Sequence, residues 1–233
     1  MFFFCSFVST LWSQQPGSDT SKVIEIRNAD LLLGSREEGQ SIQTLRGRVV
    51  LFHEGAFMYA DSALIYESTN SMDAFGHIHI RQGDTLSLYG DSLHYDGNTR
   101  KAEIWSRVRM LDPQVSLETT RMEYDRNTGK VWYPQAAEIR NGQDDISSKT
   151  GVYDTRTRSF TFKDDVVITN PEYQLYSDTL HYDTRSDIAY FRGPSTIYSE
   201  GSIIECRNGW YDKKQDRAQF NKDAKVTSDT RVL

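Results

Sequence analysis

Aspartate recurs at a fixed interval in this chain, with 29 residues (125 − 96) between neighbours: Asp96, Asp125, Asp154, Asp183 and Asp212. A row of carboxylates could bind calcium or supply paired acid and base groups. Calcium-binding solenoids, however, carry glycine-rich nonapeptide repeats, which this chain lacks. Turn-forming residues follow each aspartate, and an aspartate closes such a turn by accepting hydrogen bonds from backbone N–H groups. We therefore interpret the row as structural.

Histidine is the other residue type that could hold a metal. His77 and His79 are two positions apart, on one face of a predicted strand, but no third ligand is near them in sequence. His94 and His181 each precede a Tyr-Asp pair, and this recurrence indicates a packing role. The sequence has no nucleophile motif, metalloprotease helix or phosphate-binding loop. It thus predicts no catalytic residue, metal site or cofactor, and a protein that is not an enzyme.

The same 29-residue period governs other positions, which indicates a stack of repeats. A tyrosine precedes each aspartate, and Tyr66 extends that series to six members. Three apolar columns follow the period and form the candidate interior: Leu88, Leu117, Ile146, Leu175 and Ile204; Met110, Ile139, Ile168 and Ile197; Ile104, Phe162, Phe191 and Phe220.

Within each repeat, apolar and polar residues alternate as in a strand with one buried face. Leu93 and Tyr95 would point to one side, and Ser92 and His94 to the other. No segment has a convincing apolar stripe of helical period, so we expect an all-β fold with little or no helix. The step is 30 from Asp61 to Asp91 (91 − 61), which predicts a bulge or a different turn in the Tyr66 repeat.

Charge and the N-terminal segment restrict the function further. The net charge is −6 and no basic run exceeds two or three residues, which argues against nucleic acid as a partner. Residues 1–13 are predominantly apolar and are predicted to be a signal peptide; no basic region precedes them, as expected if the true start lies further upstream. The alternative is a buried N-terminal strand. We expect a flexible lead-in over 14–22 and a single exported domain over 23–233, with Cys206 left as its one cysteine.

The apolar columns permit two interpretations. They could form the closed core of a sandwich or solenoid, which is the simpler explanation. They could also line a hydrophobic trough that stays accessible between two sheets. Periodicity alone does not separate these alternatives.

Three segments resemble the OstA-like proteins, which are relatives of the periplasmic lipopolysaccharide transport protein LptA and of the N-terminal domain of LptD. These segments are Ala60–Tyr66, Ala74–Ile80 and Gly83–Tyr95. The resemblance covers about residues 23–228 and depends on recurrence, because each motif is degenerate.

The resemblance implies an antiparallel β-jellyroll of two facing sheets in the periplasm, with lipopolysaccharide acyl chains sliding along the interior. It also implies that terminal edge strands pair with other jellyroll transport domains, or head to tail with a second copy. The thirteen column residues are then the candidate lipid lining. The main alternative is an exported structural solenoid, an adhesin or scaffold, with a closed core and no lipid binding. A polysaccharide-processing solenoid enzyme would need clustered carboxylates, which the evenly spaced aspartates do not offer.

Overall fold

A computed structural model describes residues 23–37, 39–228 and 231–232. Every regular element in them is an antiparallel β-strand, which confirms the all-β expectation. The strands are β1 (Glu25–Asn28), β2 (Leu31–Glu37), β3 (Gln40–His53), β4 (Ala56–Tyr66), β5 (Ser71–Gln82), β6 (Leu86–Asp96), β7 (Lys101–Leu111), β8 (Val115–Asp125), β9 (Lys130–Tyr133), β10 (Ala137–Asn141), β11 (Asp144–Ser148), β12 (Thr150–Asp154), β13 (Ser159–Thr169), β14 (Tyr173–Asp183), β15 (Ile188–Phe191), β16 (Ser195–Ser199), β17 (Ser202–Cys206), β18 (Asn208–Asp212), β19 (Arg217–Asn221), β20 (Lys225–Ser228) and β21 (Arg231–Val232).

The strands form one hydrogen-bonded sheet that is folded into two facing layers. The register of the long strands shifts at their middle, for example between Phe75 and Ile78 of β5. At these bulges the backbone bends, so one half of a long strand lies in each layer. We call the layer with the Tyr-Asp segments the tyrosine layer, and the layer with Leu88 and Leu117 the leucine layer. Side chains of both layers pack into a single apolar core.

The bends form one long edge of the molecule, which we call the corner. At the β5 bend, Gly76 and His77 both have positive φ, and a Cβ on Gly76 would lie 2.3 Å from the Asp61 carboxylate. Asp61 instead contacts His77 through Oδ2 and Nδ1, 2.7 Å apart. Equivalent ion pairs recur along the corner between Asp30 and Arg48, Asp91 and Arg107, Lys149 and Asp165, and Arg207 and Asp223.

The apolar columns of the leucine layer combine into one row. Strand pairing alternates the Leu88 column with the Met110 column, so that two 29-residue periods interleave. The row crosses the whole layer in register: Ile26, Leu51, Met58, Ile80, Leu88, Met110, Leu117, Ile139, Ile146, Ile168, Leu175, Ile197, Ile204 and Val226.

The tyrosine series needs one correction. The five tyrosines that precede the row aspartates lie in one cross-strand row, with their side chains directed towards the core. The residue of β4 that belongs to this row is Ile65, which pairs with Met72 as Tyr95 does. Tyr66 is therefore not equivalent to the other five tyrosines. It occupies the place of the aspartate, and its hydroxyl donates to Asp73. The step is thus 30 at this point (95 − 65), and the 29-residue spacing to Tyr66 is accidental.

The aspartates of the periodic row close the turns, as the sequence predicts. Asp154 Oδ1 accepts hydrogen bonds from the backbone N–H groups of Arg156 and Thr157, at 2.9 and 3.1 Å. The other four make the same pair of contacts. Consecutive turns also bond to one another, as Thr155 N–H does to the Gly129 carbonyl. The turns therefore stack into a continuous row.

Candidate functional site

The interior between the layers contains all thirteen predicted lining residues. Eleven of them are buried, and Leu88, Met110, Leu117, Ile104 and Phe162 have no exposed surface. The other two, Ile204 and Phe220, are partly buried against the same core and lie near the C-terminal end. The interior is thus a closely packed apolar row along most of its length.

Both ends of the interior are less covered than its middle. At the N-terminal end, Leu32 pairs with the buried Leu45 in the tyrosine layer and so faces the interior side, yet it is 52% exposed because β3 is the one strand that pairs with β2 among the described residues. At the C-terminal end a cleft of about 380 Å³ reaches the row. Its apolar walls include Ile197, Ile204 and Phe220.

The long edge opposite the corner is where two rows of turns face each other; we call it the mouth. Near the N-terminus it is closed by a group that we call the first clasp. Arg126 donates to the Tyr95 hydroxyl (2.6 Å), the Gln82 side chain (2.7 Å) and the Glu54 carbonyl (2.9 Å). Arg100 binds the Glu54 carboxylate at 2.8 Å. Desolvation opposes ionisation of Glu54, but the Arg100 guanidinium outweighs it and lowers the pKa of Glu54.

The second clasp closes the mouth nearer the C-terminus around Asp144, whose surface is 1% exposed. Lys213 Nζ lies 2.6 Å from Asp144 Oδ2. Asn170 and the Tyr173 hydroxyl also donate to this carboxylate. The Tyr182 hydroxyl lies 3.2 Å from Asp144 Oδ2 and donates to Asp187, and burial, followed by this hydrogen bond, raises the pKa of Tyr182. Asp144 is therefore a buried carboxylate with three donors, one of which is the Lys213 cation.

The mouth has weaker polar closure between the two clasps. Tyr153 belongs to the same row as Tyr95 and Tyr182 and is fully buried, but its hydroxyl has no hydrogen-bond partner among the described residues. Burial, and then the nearby carboxylate of Asp112, raises the pKa of Tyr153. No backbone-to-backbone hydrogen bond crosses the mouth in the described part of the chain. The described hydrogen bonds across this edge therefore each involve at least one side chain.

The four histidines considered above as possible metal ligands lie apart from one another. His77 lies at the corner, while His79 faces outward between the rings of Tyr59 and Tyr89. His94 contacts Asp73 and His181 contacts Thr161 on the outer face of the tyrosine layer. Across residues 23–37 and 39–228, no three His, Cys, Asp or Glu side chains are grouped so that they could hold a metal ion.

Comparison with protein families identifies the chain. Residues 21–178, more than half of the chain, match the family described as OstA-like protein. The chain belongs to the OstA-like family. Among solved structures, this OstA-like protein is similar to LptH of Pseudomonas aeruginosa, which is described as the LptA-homologous periplasmic component of the lipopolysaccharide transport device. The two are 15% identical, with 59% of this chain and 82% of LptH covered and a TM-score of 0.26. Comparison with curated proteins gave no match.

The clasps of this OstA-like protein are the part of the site that sequence reasoning missed. They join residues far apart in the chain, such as Glu54 with Arg126 and Asp144 with Lys213. The one available signal was the occurrence of basic residues directly after the row aspartates, as Arg126 follows Asp125 and Lys213 follows Asp212. Read along the chain, these cations look scattered; only the fold collects them on one edge.

Proposed function

We propose that this protein is a periplasmic lipid carrier that shields lipopolysaccharide acyl chains during their transport to the outer membrane. Membership of the OstA-like family supports this proposal. The observation that carries it is the unbroken apolar row from Ile26 to Val226, which runs between two layers and is partly uncovered at its ends. Acyl chains gain roughly 25 cal/mol for each Å² of apolar surface removed from water, and an extended row matches their shape.

A carrier of this kind must open, because the apolar side chains of the two layers pack against one another in the interior. The architecture provides for this. At the corner the backbone itself connects the two layers, whereas side-chain contacts join them at the mouth. Separation at the mouth about the corner would expose the lining without breaking strand pairing within either layer. Acyl chains would then replace the side-chain contacts that the two layers lose.

Photo-crosslinking in cells tests the proposal. A photoreactive residue in place of Leu117 or Leu175, which face the interior, should capture lipopolysaccharide. The matched controls are Glu118 and Gln174, their exposed chain neighbours on the outer face. Crosslinks at the control positions alone would rule out interior binding.

A second candidate function is an exported structural solenoid with a permanently closed core. The complete burial of Leu88, Met110 and Leu117 favours it. Uptake of an apolar dye separates the two: a carrier should bind the dye with saturation, and a closed scaffold should bind almost none. Depletion of a scaffold should also leave the outer membrane intact.

The proposal includes partners at the ends of the stack. Among the described strands, β2 pairs only with β3, and all seven of its residues are exposed. At the other end, β18 is the one described strand that pairs with β19. An unpaired edge of this kind accepts a further strand by β-augmentation. We propose that another jellyroll domain, or a second copy arranged head to tail, binds at these strands.

A further inference from the structure

The two rows of turns at the mouth differ in their content of basic residues. The turns of the tyrosine layer over 97–100, 126–129, 155–158, 184–187 and 213–216 contain seven basic and two acidic residues, and each turn is preceded by the row aspartate that closes it. We call these turns the basic lip. The facing turns of the leucine layer hold Glu54, Asp84, Asp112, Glu172 and Glu200 and no basic residue. In a chain of net charge −6, the basic lip is a local exception.

The charges of the basic lip are only partly matched by carboxylates. The hydrogen bonds of Arg126 go to neutral acceptors, namely a hydroxyl, an amide and a carbonyl. Arg156, Arg185 and Lys214 each donate to a backbone carbonyl of the preceding turn. The row aspartates beside them use Oδ1 to close their own turns. The stack therefore holds cations at a regular spacing along the mouth.

Two carboxylates of the leucine layer reach this row at the two clasps. Glu54 binds Arg100, and Asp144 binds Lys213. A phosphate offers more acceptor oxygens and more negative charge than a carboxylate, and guanidinium groups bind it with two parallel hydrogen bonds. A phosphorylated headgroup at the mouth would therefore compete with Glu54 for the same cations.

We propose that the basic lip binds the phosphate of an anionic amphiphile while its acyl chain lies in the interior. The contacts are Arg100 and Arg126 in the first clasp and Arg156 and Arg185 in the turns beyond it. The proposal rests on the proposed function, because only an open interior can receive the chain. Displacement of Glu54 by the phosphate loosens the first clasp. Binding of the headgroup and opening of the mouth are thereby coupled.

Binding of three probes to the full chain tests this site: dodecyl phosphate, dodecyl maltoside and inorganic phosphate, with both detergents below their critical micelle concentrations. Dodecyl phosphate should bind at least about tenfold more tightly than dodecyl maltoside, the difference expected from one charge-assisted hydrogen bond. Equal affinities would overturn the phosphate site and leave the proposed function intact. Absence of binding by both detergents would overturn both. Inorganic phosphate binding as tightly as dodecyl phosphate would indicate a free-anion site and overturn the assignment to an amphiphile.

Variants locate the site. Arg126→Gln should lower the ratio of dodecyl phosphate affinity to dodecyl maltoside affinity about tenfold, a comparison from which any effect on mouth opening cancels. Arg185→Gln, at an exposed turn, makes the same test if Arg126→Gln does not fold. Glu54→Gln should strengthen dodecyl phosphate binding, because it removes the competing carboxylate. The matched control is Arg109→Gln, which removes an equal charge from the outer face, where Arg109 lies over the Tyr89 ring. A loss in the control equal to that in Arg126→Gln would show only a general charge effect and overturn the proposal.

Discussion

Individual residues decide how closely the two layers of this fold pack, and Tyr133 shows how. It pairs with Gly151 across the tyrosine layer, and a Cβ at position 151 would lie 2.1 Å from its hydroxyl oxygen. The absence of that carbon lets the hydroxyl reach Ser148 Oγ at 2.7 Å, where both side chains are buried. A single missing methyl group therefore permits a buried hydrogen bond in the core.

Substitution Gly151→Ala should destabilise the protein by about 2 kcal/mol, because the added methyl overpacks the site and displaces the Tyr133 hydroxyl. Urea unfolding followed by tryptophan fluorescence measures the change. The matched control is Gly34→Ala, since nothing lies within 4 Å of a Cβ at position 34. The control should change the free energy of unfolding by less than about 0.5 kcal/mol. Equal effects of the two substitutions would contradict the packing argument.

The turn aspartates make stability depend on pH. The backbone N–H of Thr99 donates to Asp96 and lowers the pKa of this carboxyl below its usual value. The stabilisation from Asp96 is therefore present above the unfolded pKa of about 3.9 and is lost as the pH falls through the lower folded pKa. Asp96→Asn should flatten this acid limb of the stability curve, as measured by urea unfolding between about pH 2 and 5. An acid limb of unchanged slope would contradict the role assigned to Asp96.

Local residue roles could be predicted from the sequence, whereas distant ones could not. The turn aspartates were predictable because each bonds to N–H groups two and three residues later, as Asp154 does to Arg156 and Thr157. The clasp contact between Glu54 and Arg126 spans 72 positions. This contact depends on how many repeats separate the two residues and on where the strands bend. The 29-residue period specifies neither.

At the scale of strands, the period predicted the type of element but not its register. Alternation correctly placed Leu93 and Tyr95 inward. The period wrongly placed Tyr66 in the same row, because β4 and β6 are offset by 30 residues and not by 29. A shift of one residue moves a side chain to the other face of a strand, so the period predicts the wrong face for Tyr66.

The terminal strand β2 should control association of the protein. Leu32→Lys places a charge on the exposed interior side of this edge and should weaken head-to-tail association, because lysine on an edge strand opposes further strand addition. Light scattering over a range of protein concentrations measures the association. Phe75→Lys is the matched control: it alters a side chain of similar exposure, 46%, on the central strand β5, and should leave association unchanged. A similar loss in both variants would contradict β2 as the interface.

At the scale of the whole molecule, the two long edges differ. The backbone runs through the corner, whereas side-chain contacts close the mouth. Strands bend through the corner, where ion pairs such as Asp91 with Arg107 recur at the bends. At the mouth, the two clasps join the layers, and between them the Tyr153 hydroxyl has no hydrogen-bond partner in the described part of the chain. Opening therefore costs side-chain contacts and leaves the backbone ladders intact. Under the proposed function, this difference makes the mouth, and not the corner, the expected path of entry for an acyl chain.

A covalent crosslink across the mouth should prevent a ligand from entering the interior. The double variant Gln82→Cys with Arg126→Cys, in a Cys206→Ser background, places one thiol on each lip where Arg126 Nε and Gln82 Oε1 now lie 2.7 Å apart. After reaction with a short bis-maleimide, the variant should lose uptake of a neutral apolar dye, because the layers can no longer separate beside the first clasp. The same variant before crosslinking is the control and should bind the dye. A neutral dye keeps the result independent of the charge removed at position 126. Full uptake by the stapled protein would show that chains enter through the ends of the stack, where Leu32 and Phe220 lie, and would exclude the mouth as the path.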